Sequence, residues 1–370
     1  MNFFPVPPGS GPGSLSAVRA VDKLSAFTPA SRAQRFNLAA PPRWAPRPLL
    51  LTVSSLSLLA MSCGGSDTGD LAVRMNAEST IADGLKAGEG LEDVRDGWNV
   101  DFEKYIAVVG PVKLSYATNP DELAILAPAF AVDLTQVPQN GLGLWESEGL
   151  RAGRWDFGFD LSGGAHEAER HKSVNQQDFE AIVDEDLTYW IVGVLSNEEG
   201  RSCPPPDLAE PGDRPAVGEG YAGEPCYEAP SIQFEFRVTA ETAYSKCQID
   251  GVPGVAVSAN GMNTAALTLH GDHIFFGGFP QGNEGSITRR AQWLADCDLD
   301  LDGEVTQDEL AQTPWTALSE TSPERYPLSG SPIAIETALD FAIAELKTQG
   351  HYEGEGECNL DGEAHEDHEH

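Results

Sequence analysis

The sequence predicts a mainly β protein, an antiparallel β-sandwich followed by a small C-terminal α-helical subdomain. Three observations predict it. Between residues 98 and 276, apolar, β-branched and aromatic runs of strand length recur. Turn-forming groups such as Asn119-Pro120, Asn140-Gly141 and Ser162-Gly163-Gly164 separate several of them. After Gly278 the apolar period changes to that of a helix. Strands at this density, without helices of convincing length between them, argue a sandwich over a small α/β domain.

The strand candidates run in order from Trp98, where alternation through Ile106 gives way to the run IAVVGPVKLSYA. Ala124 to Thr135, Gly153 to Leu161, Leu187 to Leu195, Ile232 to Thr239, Val255 to Ser258 and Thr264 to Phe276 follow. WDFGFD and FEFRV alternate cleanly, as strands do with one face in a core and one in water. The helical part then offers Ser286 to Cys297, a short helix over Thr306 to Gln312 stopped by Pro314, and Pro332 to Gln349. The last places Ile333, Ile335, Ala338, Leu339, Phe341, Ala342 and Leu346 on roughly one face.

Charge narrows the partners. The 370 residues hold 23 Lys and Arg against 58 Asp and Glu, a formal net charge of −35. A polyanion of this size repels nucleic acid and anionic lipid and attracts cations. The basic residues are concentrated differently at the start, where Arg43 and Arg47 precede the apolar run Leu49 to Ser62. That run is too short to span a bilayer and has the form of an export signal.

These features divide the chain into a leader and signal peptide over 1–62, with 1–42 set aside from the fold, and a Gly-, Asp- and Ser-containing tether over 63–96. The sandwich is expected over 97–278, the helical subdomain over 279–351 and an acidic, His-rich tail over 352–370.

Cysteine usage fits an exported protein. No pair has the CxxC spacing of a zinc site. Cys203 and Cys226 bracket a Pro-, Gly- and acid-rich segment that has no means of burying a core, so a disulfide closing this insertion (200–230) is expected. Cys247 and Cys358 form the expected second bridge, with Cys297 left over, although sequence alone does not fix that connectivity.

The sharpest chemical signal is Asp298 to Glu309, DLDLDGEVTQDE. Oxygen-bearing side chains fall at loop positions 1, 3, 5, 9 and 12, with Gly303 at the bend. Asp298, Asp300 and Asp302 offer carboxylates, Glu304 its backbone carbonyl, Thr306 a contact through water and Glu309 a bidentate pair. This loop resembles the EF-hand family at every ligand position, over about 30 residues with its flanking helices. The resemblance implies a calcium ion. Such loops normally come in pairs, and the nearest second one, Glu357 to His368, has a histidine where the bidentate Glu belongs. An unpaired loop points to a structural site outside the cell rather than a sensor.

A second candidate is His270, His273 and Asp272 in LHGDHIFF. On a strand, residues three apart face opposite sides, so the two histidines can share an ion only if Gly271 makes a bulge or turn. Two imidazoles with a carboxylate suit zinc or copper. The alternative is a pair of hydrogen-bonded structural histidines over a Phe-filled core. His365, His368 and His370 in the tail form a third, weaker candidate, against a plain solvated tail.

Leu59-Ala60-Met61-Ser62-Cys63-Gly64 resembles a bacterial lipobox, with Ala60 where Leu is preferred. The resemblance implies lipidation at Cys63 and a cell-envelope address, on the outer membrane or cell surface. The HGDHIF segment upstream of the acidic loop, with Gly350-His351 to Cys358 after it, is similar to a group of bacterial lipoproteins and brings no activity with it. Enzyme signatures are lacking: no GxSxG, HExxH, phosphate loop or Rossmann fingerprint occurs. The expectation is therefore a non-enzymatic, lipid-anchored calcium protein, the alternative being a protein that handles copper or zinc through His270, His273 and the tail.

Overall fold

A computed structural model describes residues 67–279 and 287–360. The expected signal peptide, Cys63 and the tail histidines therefore lie outside the described residues. What is described is mainly β and sandwich-like, built of several sheets without barrel closure.

The smaller main sheet has four strands in the order Gly350–Tyr352, Met262–Leu269, Thr68–Ala77, Leu142–Arg151. Its central pair, Thr68–Ala77 with Met262–Leu269, is parallel. The segment expected to be a tether is thus an interior strand of a sheet. Leu71, Val73 and Met75 alternate along it, each fully buried, so period-two patterning rather than composition decides its state.

The larger sheet is organised on Asn99–Tyr116, an 18-residue strand that pairs antiparallel with Tyr189–Ser196, Gly153–Leu161, Asn119–Leu126 and Phe130–Asp133. Ser231–Val238 adds to Tyr189–Ser196, and Thr242–Ile249 to Gly153–Leu161. Most pairings are antiparallel. The strand expected over Ala124–Thr135 divides at Pro128, where the ring supplies no N–H to a ladder. A helix not expected from the sequence, Gln176–Asp184, is capped by the Asn175 side chain and buries Ile182.

Both disulfides form, Cys203–Cys226 and Cys247–Cys358, and Cys297 is a buried free thiol. The insertion carries a small three-stranded sheet. It is held against the acidic-loop region, where Cys203 N–H donates to Asp296 Oδ1 at 2.7 Å and Glu210 N–H to the Leu299 carbonyl at 2.7 Å.

The expected helices are shorter than the patterning suggested. Of the one placed over Ser286–Cys297, Gln292–Ala295 is α-helical. Arg289 instead makes bridges to Val94 and Phe276, and the Asp96 carboxylate accepts the N–H groups of Ala291 and Gln292, which fixes the helix start there. The last helix is Ala338–Leu346, started by a capping box between Thr337 and Asp340. The residues before it, 332–336, are bends and irregular chain, and Thr337 is bridged to Pro314.

The helical part is not separate from the sandwich. One cluster of buried residues joins Leu71, Leu267, Tyr105 and Phe234 of the two sheets to Trp293, Trp315 and Phe341. Three tyrosines of the larger sheet hold the C-terminal end of the last helix. Tyr189 donates to the Leu346 carbonyl, Tyr244 to the Lys347 carbonyl at 2.8 Å and Tyr105 to Gln349 Oε1 at 2.7 Å. Burial holds the Tyr105 and Tyr189 phenols well above their ordinary range, so both remain neutral donors.

Candidate metal centres

The histidine segment folds so that its imidazoles meet. The strand Met262–Leu269 ends before His270, and Asp272–Phe275 is a 3₁₀ turn, so the expected departure from strand geometry at Gly271 occurs. A third histidine arrives from far along the chain. His351 is the middle residue of Gly350–Tyr352 and stands opposite Thr268, with His270 N–H donating to the Gln349 carbonyl at 3.1 Å. His270 and His351 therefore lie diagonally on one face. Their ring centroids are 4.1 Å apart, and those of His273 lie 5.6 Å from His270 and 5.3 Å from His351. All three are buried, and one ligand atom from each falls within 4.8 Å of the others. The cluster can hold a metal ion.

Backbone packing sets this geometry. A Cβ on Gly350 would lie 2.4 Å from the Tyr244 ring, so only glycine allows the strand to approach that ring and present His351. The parallel register between the strands ends at Ala77 opposite Leu269, which brings Glu78 beside His270. Glu78 Oε2 lies 3.9 Å from His270 Nδ1. Burial, then the nearby Asp272 charge, raises the Glu78 carboxyl to about 7, while Thr80, His273 and Arg289 act against that.

Asp272 is differently engaged. Its Oδ2 accepts from Arg289 Nε at 2.6 Å, and the Arg289 Nη2 closes the same buried pair. It also belongs to a possible ligand group with Glu78 and His270. Thus His270, His273 and Asp272 are neighbours, and His351 joins the two histidines as their third imidazole. His351 reaches the site through long-range strand pairing.

The acidic loop takes its own shape. Asp298, Asp300 and Asp302 bring one oxygen each within 4.8 Å of the others. Asp298 Oδ2 accepts from Gly303 N–H at 3.1 Å, and Asp302 Oδ1 from Glu304 N–H at 2.9 Å. Gly303 has φ of +90°, which lets the loop bend back. Asp298 is 2 % exposed, and its buried Oδ1 has no hydrogen-bond partner among the described residues. Burial first, then Glu309, Asp302 and Asp300, raises its carboxyl to about 7.

Glu309 serves the helix Gln307–Gln312. Its Oε1 accepts from Leu299 N–H at 2.9 Å and its Oε2 from Thr306 N–H and Oγ1, each at 2.8 Å. Glu304 and Val305 form a two-residue strand in parallel register with Gln233 and Phe234. So the three aspartates converge, Glu309 ties the two ends of the loop together, and Glu304 and Thr306 flank the bend.

No family model, curated protein or solved structure matches this chain.

Proposed function

We propose that this is an exported, lipid-anchored envelope protein without enzymatic activity, in which the Asp298–Glu309 loop binds one calcium ion as a structural clamp. The observation that carries the reading is Asp298. An ionisable oxygen sealed from water, making no hydrogen bond among the described residues and with two further aspartates converging on it, is costly alone and suits a hard cation. Calcium would draw on Asp298, Asp300, Asp302, the Glu304 carbonyl, Thr306 through water and Glu309. The export part rests on the apolar segment before Cys63 and is supported by two disulfides, which persist in oxidising compartments.

In this reading the ion's task is mechanical. The loop is hydrogen-bonded to the larger sheet on one side and to the disulfide-closed insertion on the other. A cation would hold these three parts together, and the surface they form would serve binding or assembly. Zinc or copper at the histidines is compatible with calcium at the loop, since the two ligand sets share no residue.

Isothermal titration of the mature protein tests the reading. One site with a Kd on the order of 10⁻⁴ to 10⁻³ M is expected, as for calcium modules outside cells. Absence of heat at millimolar calcium, or unchanged binding after Asp298→Ala with Glu309→Ala, would overturn it.

A further inference from the structure

We infer that His270, His273 and His351 form a buried site for one borderline transition-metal ion, zinc foremost, with the Glu78 carboxylate beside it, 3.9 Å from His270 Nδ1. The proposal is independent of calcium at the acidic loop. It stands on convergence, on the tautomers that hydrogen bonds fix for His270 and His273, and on the chemistry of the donors.

Convergence comes first. Three atoms mutually within 4.8 Å admit a centre no more than about 2.8 Å from each, against zinc–imidazole bonds of about 2.0–2.1 Å. Ring rotations that carry each nitrogen inward by under about 1 Å close the difference.

The hydrogen bonds around the rings select the form of imidazole that ligates. Thr348 Oγ1 donates its one proton to the Glu345 carbonyl at 2.8 Å, so at 2.8 Å from His273 Nδ1 it accepts. In neutral His273 the proton therefore sits on Nδ1 and the lone pair on Nε2. His270 Nε2 lies 3.1 Å from the Gly354 carbonyl, which can only accept, so neutral His270 carries its proton there and its lone pair on Nδ1. A hydroxyl or carbonyl on the outer nitrogen, fixing tautomer and ring direction, is how ligating histidines are held. His270 Nδ1 is also the nitrogen that faces Glu78.

Donor chemistry chooses the metal. Imidazole suits zinc, copper, nickel and cobalt and is a poor donor for calcium or magnesium. Three buried imidazoles, with the Glu78 carboxylate at hand to offset charge, match zinc. The ligands come from two segments 78 residues apart at their nearest, His273 and His351, so the ion would pin the C-terminal strand to the turn after Leu269.

The test uses the full chain, stripped with chelator and titrated with zinc against a chromophoric competitor. A variant carrying His365→Ala, His368→Ala and His370→Ala removes the tail as a source of binding. One equivalent is expected to survive in it. That equivalent should weaken at least about 100-fold in His351→Gln and about 10- to 100-fold in Glu78→Gln. Asp298→Asn with Glu309→Gln should leave it unchanged, which separates this site from the calcium loop. Cobalt loading of the tail variant should give intense tetrahedral visible bands, and X-ray absorption three imidazoles per ion. That readout decides the matter even if His351→Gln does not fold. Absence of a tight equivalent in the tail variant, undiminished binding in a folded His351→Gln, or fewer than three imidazoles per ion would overturn the proposal.

Discussion

Val305 of the acidic loop lies in parallel register beside Phe234 of the larger sheet, and both side chains are buried in the same core. The loop is therefore joined to the sheet by main-chain hydrogen bonds.

The pairing makes a prediction about cooperativity. Calcium bound at the loop should stabilise the whole described body, because the loop cannot open without breaking the sheet edge. At a calcium concentration about 100 times the Kd, the gain is about 2.7 kcal/mol. A single thermal transition should move upward with calcium, and Asp298→Asn should abolish the movement. A separate low-temperature transition that alone responds would show the loop to be an independent unit.

Phe341 is the expected weak point of the helical part. It stacks on Trp315 with centroids 4.0 Å apart and meets Trp293, Tyr326 and Phe279 edge-on. Replacing it by Ala removes ring contacts on several sides and leaves a cavity that rigid aromatic neighbours fill poorly. The loss should be about 3–5 kcal/mol in chemical unfolding. Calcium affinity should fall with it, since the last helix packs on the one that leaves the loop. Leu123→Ala, at a side chain largely open to solvent, is the control and should change stability by less than about 0.5 kcal/mol.

The two disulfides should differ in weight. Cys203–Cys226 spans 23 residues of sequence and Cys247–Cys358 spans 111. Loop-closure entropy assigns about 3 kcal/mol to the shorter loop and between about 4 and 5 kcal/mol to the longer. Denaturant midpoints of the double Ala variants of each pair should fall in that order. The reverse order would mean that the insertion's anchoring to Asp296 and Leu299 depends wholly on its disulfide.

These residues also show what the sequence made legible. Gly153–Leu161 was bounded correctly because WDFGFD alternates and glycine-containing turns flank it. The Cys203–Cys226 pairing and the short helix after Thr306 could be read locally, whereas Cys247–Cys358, 111 residues apart, is one connectivity among those the sequence leaves open. Thr68–Ala77 was missed even though Leu71, Val73 and Met75 alternate, because the surrounding Gly, Asp and Ser residues resemble a tether. Gln176–Asp184 was missed because only Ile182 of it is fully buried. The histidine site was half legible. His270 and His273 share a short segment, whereas His351 joins them through strand register, which no local pattern encodes. The convergence of Asp298, Asp300 and Asp302 was legible in the acidic loop and its neighbour was not, since the pairing of Val305 with Phe234 spans 71 residues.

Asp96 offers a pH test outside both candidate ligand groups. Its Oδ2 accepts from Ala291 and Gln292 N–H groups, each at 2.8 Å, and so starts the helix before the acidic loop. Burial raises its carboxyl above the ordinary 3.8, outweighing the backbone donors that act the other way. The unfolded chain releases this proton near 3.8 and the folded protein only at higher pH. The group's contribution to stability is therefore full below 3.8 and is lost as pH rises through the folded value. Asp96→Asn keeps an oxygen acceptor for the two N–H groups and removes the ionisation. Relative to wild type it should gain stability between pH 3.5 and pH 7, by about 1.4 kcal/mol for each pH unit of the raised carboxyl. Urea unfolding of both proteins at the two pH values measures this. An equal gap at both would show that the helix start binds the Asp96 proton no more tightly than the unfolded chain does.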